Sequence, residues 1–89
     1  MTYALAFLSI AWEDYLYWQQ TEKAVLRRLN ALLKEMQRTP FAGTGKPELL
    51  RYDRAGTWSR RITEEHRLVY RVEGDVVWIL QCRYHYAAK

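Results

Sequence analysis

The run Cys82-Arg83-Tyr84-His85-Tyr86 gathers an imidazole, a guanidinium and two phenols at the end of an expected final strand. Such a set suits the gripping and breaking of a phosphodiester. Cutting RNA without a metal needs a base for the 2′-hydroxyl proton, an acid for the departing 5′-oxygen and a positive group at the crowded phosphorus. The chain offers one candidate for each. Glu48, in or just after a glycine-bearing loop, is the candidate base. Its reference pKa of about 4.3 makes it weak unless burial raises it. His85 is the candidate acid, because imidazole carries a proton near neutrality and adjacent phosphate favours that proton. Arg67 is the candidate phosphate clamp, with a fork of donors for two phosphate oxygens. Arg61 and Arg83 are weaker versions of the same idea, and Tyr86 can stack on a base or donate its hydroxyl. Plainer readings stand beside these: a surface carboxylate for Glu48, a packing role for His85, and an ion pair from Arg67 to Glu64 or Glu65. The other histidine, His66, is assigned a structural or hydrogen-bonding role.

Other chemistries find little support. Two histidines and one cysteine are too few and badly spaced for a zinc site, so neither metal nor cofactor is expected. No nucleophile elbow accompanies a Ser-His-Asp set. The run Gly43-Thr44-Gly45-Lys46 lacks the full phosphate-loop pattern, and Pro47 stands where that pattern needs Ser or Thr.

Charge points the same way as the side chains. The net +4 arises from 14 basic and 10 acidic residues. Residues 1–37 and 72–89 are each neutral. Residues 38–71 carry eight basic groups, seven of them Arg, against four acidic ones. Arg-rich asymmetry suggests a polyanionic partner. The lone Cys82 argues for a reducing cytoplasm. The apolar stretch Ala4 to Ala11 is too short to span a bilayer, so no membrane role is expected.

The 89 residues are expected to form one domain, 1–89. Thr2 to Leu8 reads as a strand with Tyr3, Leu5 and Phe7 on one face. Ser9 is a reasonable N-cap for a first helix over about 10–19, whose stripe of Trp12, Tyr15 and Leu16 is assigned to the core. Trp18 falls partly off that stripe and is a candidate for a helix turn or a protein contact. Thr21 can cap a second helix over 22–38, with Leu26, Leu29, Leu33 and Met36 buried and Val25 and Leu32 flanking. Pro40 ends it. A loop over 40–47 leads to a brief extended or turn segment at Glu48-Leu49-Leu50, and 53–57 reads as a turn. A meander follows, with Glu73-Gly74-Asp75 as a tight hairpin. In the last strand Val76, Trp78, Leu80, Cys82 and Tyr84 are expected on the covered face. Val77, Ile79, Gln81, Arg83 and His85 fall on the other, unless a bulge breaks the alternation. The expected fold is α+β: β-α-α-β-β-β, with two helices against one face of a mostly antiparallel sheet.

The stretches WEDYLYWQ (12–19), RTPFAGTGKP (38–47), WSRRITEEHRLVY (58–70) and CRYHY (82–86) closely resemble the YoeB (Txe) toxins of bacterial toxin–antitoxin systems, within the RelE/ParE superfamily. The resemblance covers nearly the whole chain. It implies two helices against a small, curved sheet, and a ribosome-dependent mRNA endonuclease acting in the decoding site. Products would be a 2′,3′-cyclic phosphate and a 5′-hydroxyl. It places the general base on Glu48, the phosphate-binding arginine on Arg67, the general acid on His85 and a site-shaping tyrosine on Tyr86. Lys46 and Arg61 fall on basic residues expected to face RNA, and Arg51 stands where the best-known member has lysine. The implied partners are the 70S ribosome with mRNA, a second copy of the toxin, and a YefM/Phd-like antitoxin through which alone operator DNA would be bound. Superfamily members that inhibit gyrase instead lack this Glu–Arg–His–Tyr set. The competing reading is a silent binder that blocks translation or gyrase. Family chains often stop at the terminal tyrosine; here Ala87-Ala88-Lys89 follow, and this tail is expected to be flexible and harmless.

Overall fold

Alternating apolar residues and one amphipathic helix dictate most of the architecture. The computed structural model describes residues 2–51 and 56–85. Strand β1 (Ala4–Phe7) is followed by helices α1 (Ser9–Thr21) and α2 (Lys23–Met36), then β2 (Glu48–Leu49), β3 (Thr57–Arg61), β4 (Arg67–Glu73) and β5 (Val76–Gln81). The sheet order is β1-β5-β4-β3-β2, parallel between β1 and β5 and antiparallel elsewhere. The expected order of elements holds, with the segment at Glu48 forming a fifth, two-residue edge strand. The turn expected at 53–57 falls largely outside the described residues.

Helix α2 keeps its expected stripe with one exchange: Leu26 is only partly buried, and Val25 and Leu32, expected at the flanks, join the core. Val25, Leu29, Leu32, Leu33 and Met36 are buried. Burying one such side chain contributes about 1.5–3 kcal/mol, so this face dominates the helix's attachment. Its partners across the core include Ile62, Leu68, Tyr70, Val77 and Ile79.

Helix α1 departs from expectation. Ser9 is its first helical residue, Leu8 holds the N-cap position, and no side chain caps the end. Thr21 closes α1 by donating to the Tyr17 carbonyl, rather than capping α2. The buried residues are Ala11 and Trp18, while Trp12 is 48% exposed. The small Ala11 lets the helix approach the buried Cys82, whose sulfur lies 3.5 Å from the Ala11 carbonyl. Burial raises the Cys82 thiol to about 12. Trp18 turns inward because its indole N–H finds the Cys82 carbonyl at 2.8 Å. Trp12 instead stacks on Tyr15 and meets the edge of Phe7 near the surface.

The last strand also corrects the alternation. Val77 and Ile79 are the buried residues and pair with Val72 and Tyr70. Trp78 pairs with Arg71 on the opposite face. Between the Tyr70–Ile79 and Val69–Gln81 pairs the register shifts by one residue. That bulge at Leu80 exchanges the faces, so Gln81 points away from the helices and Cys82 returns to the core. Gln81 and Cys82 therefore fall on the expected faces, and the first half of the strand reverses them. The strand ends at Gln81. Beyond it Tyr84, expected on the covered face, is exposed, while Arg83, expected on the other, packs on Tyr17 of α1. Gly74, in the left-handed region, makes the tight turn between β4 and β5.

Candidate active site

Register places the candidate base and clamp on one face. Glu48 pairs with Ser59, and two positions along β3 Arg61 pairs with Arg67. Side chains two apart share a face, so Glu48 and Arg67 point away from the helix-covered side. Arg61, at the end of β3, borders a cleft it shares with Arg28, Leu32 and Glu35 of α2. Glu48 is exposed at the sheet edge. Lys46 and Arg51 are exposed on either side of it in sequence, and Lys46 has a left-handed backbone with φ +52°. The loop before it passes close under β3: the Arg61 amide donates to the Gly45 carbonyl at 2.7 Å. A Cβ at Gly45 would lie 2.9 Å from the Arg61 carbonyl, which explains the glycine there.

Arg67 and His85 meet at a common point. Arg67 Nη1 donates to the carbonyls of Thr63 at 2.7 Å, Glu64 at 3.1 Å and His66 at 3.2 Å. His85 Nε2 lies 3.1 Å from the same Glu64 carbonyl. A carbonyl only accepts, so Nε2 bears the proton in this contact. Among the described residues the ion pairs are Arg60–Glu35 and Arg71–Glu73, so Arg67 makes no pair with Glu64 or Glu65. Only its Nη1 is engaged there, and the rest of the guanidinium has no described acceptor.

Arg83 stands apart from that group. Its guanidinium carbon lies 3.6 Å from the Tyr17 ring centre on α1 and 4.6 Å from that of Tyr84. The Nε atoms of Arg61, Arg71 and Arg83 are buried without a hydrogen-bond partner among the described residues. Tyr86 and the Ala87–Lys89 tail lie outside the described residues.

The turn bearing His85 is tied at every step. Asp14 accepts from the Cys82 amide at 3.1 Å while Trp18 donates to the Cys82 carbonyl. The Gln81 side chain donates from Nε2 to the carbonyls of Arg83 at 2.9 Å and His85 at 3.3 Å. Tyr84, with φ +66°, donates its amide to His66 Nδ1 at 2.7 Å, and its carbonyl accepts from the Arg67 amide at 2.9 Å. His66 is therefore an acceptor at Nδ1, the hydrogen-bonding role expected of it, with its ring edge-on to Trp18. Burial raises the Asp14 carboxyl above its ordinary value, and the Cys82 N–H offsets part of that. Asp14, Trp18 and Gln81 were invisible as turn-holders in the sequence, because Asp14 and Trp18 act across more than 60 residues and their types carry no motif.

Among the described residues no group of three or more His, Cys, Asp or Glu could hold a metal ion. No described helix is long and apolar enough to cross a membrane.

Two helices on this mixed sheet form an α+β architecture that recurs in solved toxin–antitoxin complexes. The archaeal RelE–RelB complex of Pyrococcus horikoshii shares the fold at a TM-score of 0.76 and 20% identity. The sequence model described as a YoeB-like toxin of bacterial type II toxin-antitoxin system matches residues 7–86, and the chain belongs to that family. Toxin YoeB of Escherichia coli strain K12 is 58% identical over 76 residues, spanning 85% of this chain and 90% of that protein. A YoeB/ParE toxin from Agrobacterium tumefaciens superposes with a TM-score of 0.89 at 49% identity, over 93% of this chain and 99% of that one. The YoeB dimer from Staphylococcus aureus gives 0.88 at 42% identity, over 97% and 100%.

Proposed function

We propose that this toxin is a ribosome-dependent mRNA endoribonuclease that cleaves in the decoding site without a metal. Glu48 takes the 2′-hydroxyl proton, and His85 protonates the 5′-oxygen as it leaves. Arg67 neutralises the phosphorus-bound oxygens. Tyr86 shapes the site, and Lys46, Arg51, Arg61 and Arg83 grip RNA. The products are a 2′,3′-cyclic phosphate and a 5′-hydroxyl. The observation that carries this reading is the convergence of Arg67 and His85 on the Glu64 carbonyl, with Glu48 on the same sheet face as Arg67.

The partners follow from relatives and from charge. The Staphylococcus aureus protein has been solved as a dimer and as a YoeB–YefM complex. By that likeness this chain pairs with itself and with a YefM-like antitoxin in the cytoplasm, and reaches operator DNA only through the antitoxin. The Arg-rich 38–71 region suits an acidic antitoxin segment.

The test is primer extension on a defined message programmed into purified ribosomes, with wild type beside His85→Ala. A sharp stop in the decoding-site codon, seen only with wild type and only with ribosomes, is expected. Blocked translation with the message intact under both proteins would overturn the reading in favour of an occluding binder.

A further inference from the structure

A charged side chain is sealed in the core where the helix-covered face of β3 meets the loop. Arg60 is 0% exposed. A guanidinium has five N–H donors in a fixed plane, and leaving any of them unmet in the interior is costly. Here the neighbours provide five acceptors. Nε donates to the Tyr70 hydroxyl at 3.2 Å. Nη1 donates to Glu35 Oε1 at 2.7 Å and to the Thr44 carbonyl at 3.1 Å. Nη2 donates to the carbonyls of Thr39 and Ala42.

Three of those acceptors are backbone carbonyls of one loop. Further ties bind the same loop to Glu35 and Tyr70, two of the side chains that Arg60 holds. The Thr44 amide donates to Glu35 Oε1 at 2.9 Å, and the Tyr70 hydroxyl donates to the Pro40 carbonyl at 2.7 Å. Gly43 fits because a Cβ there would stand 2.8 Å from the Glu35 carboxylate. Four residues after Thr44 comes Glu48.

We propose that Arg60, locked to Glu35, is a positioning residue that sets where the loop delivers Glu48 to the sheet face. This rests on the role given to Glu48 above. A plain packing role would be met more cheaply by an apolar residue, since buried ion pairs rarely outdo well-packed hydrocarbon. The planar fork fixes three carbonyls at once, and an ammonium cannot reproduce that geometry.

Arg60→Lys keeps the charge and discards the fork. Gly43→Ala disturbs the Glu35 carboxylate from an exposed position and serves if the core variant fails to fold. Two readouts decide. Amide exchange at Thr44 should quicken in either variant while the buried face of α2 stays protected. Single-turnover cleavage on programmed ribosomes should fall by at least about 10-fold, the scale of a displaced catalytic group. In a Glu48→Ala background the same change should have almost no further effect, because both act through one group. An equal loss in both backgrounds would show general loosening and overturn the proposal. Unchanged exchange at Thr44 would overturn it too. If wild type cuts no message, the functional reading fails separately, and exchange at Thr44 alone then judges Arg60.

Discussion

The two ends of the candidate site are held in different ways. On the Glu48 side, one buried guanidinium gathers three carbonyls of a loop from within the core. On the His85 side, the backbone of an exposed turn is tied down by Asp14, Trp18, Gln81 and His66. The loop is long and rich in glycine, so its shape must be imposed by many contacts to one rigid group. The terminal turn follows directly on β5, so a few peptide bonds fixed to neighbours suffice. Position can thus be imposed through a charge in the core or through ties near the surface, and the two should fail differently.

The largest effects should erase the difference. Glu48→Ala and His85→Ala each remove a proton-transfer group, and each should slow cleavage by at least about 10²-fold in single-turnover assays. Full activity in either would remove that residue from the chemistry.

Stability should then separate the two ends. Arg60→Met takes the donor from three loop carbonyls and the cation from Glu35, which keeps only the Thr44 N–H and hydroxyl. It should cost about 3 kcal/mol in urea unfolding, the low end for a broken buried pair because Glu35 is only half-buried. Trp18→Phe keeps an aromatic ring but leaves the Cys82 carbonyl unmet. A cost of about 1–3 kcal/mol is expected. A larger loss from Trp18→Phe than from Arg60→Met would reverse the comparison.

The smallest effects concern pH, and their signs differ between the two ends. The Thr44 N–H, followed by Arg60, holds the Glu35 carboxyl below its ordinary value of 4.5, despite some opposing burial. Its contribution is therefore complete above that pH and fades as pH falls through the lower folded value. Asp14 is raised by burial, so its cost is present at neutral pH and fades on acidification. Stability measured against pH should show Glu35→Gln with a shallower acid decline than wild type. Asp14→Asn should be more stable than wild type at neutral pH, with the gap closing toward acid. The same sign for both variants would contradict the assignment.

Much of this was legible in the sequence. The stripe of α2 and the face of β1 follow from periodicity, and the WSRRITEEHRLVY and CRYHY runs pointed to Arg67 and His85. Three things were not. The core face of α1 is chosen by where the Cys82 peptide seats against Ala11 and Trp18, a distant contact that periodicity cannot report. The bulge at Leu80 inserts one residue into an otherwise regular alternation, and nothing in the composition of VVWILQ marks it. Arg60 left a trace: it alternates onto the same face as Trp58 and Ile62. An arginine at an apolar position was the sign of a buried network, but its acceptors are loop carbonyls and no motif announces them.

The most direct measurement uses a message whose decoding-site codon carries 2′-deoxy nucleotides, loaded on purified ribosomes beside the all-ribose message. If Glu48 activates the 2′-hydroxyl and His85 releases the 5′-oxygen, the ribose message is cut and the deoxy message stays whole. Cleavage of both at similar rates would contradict the mechanism, since the attacking oxygen would then come from elsewhere.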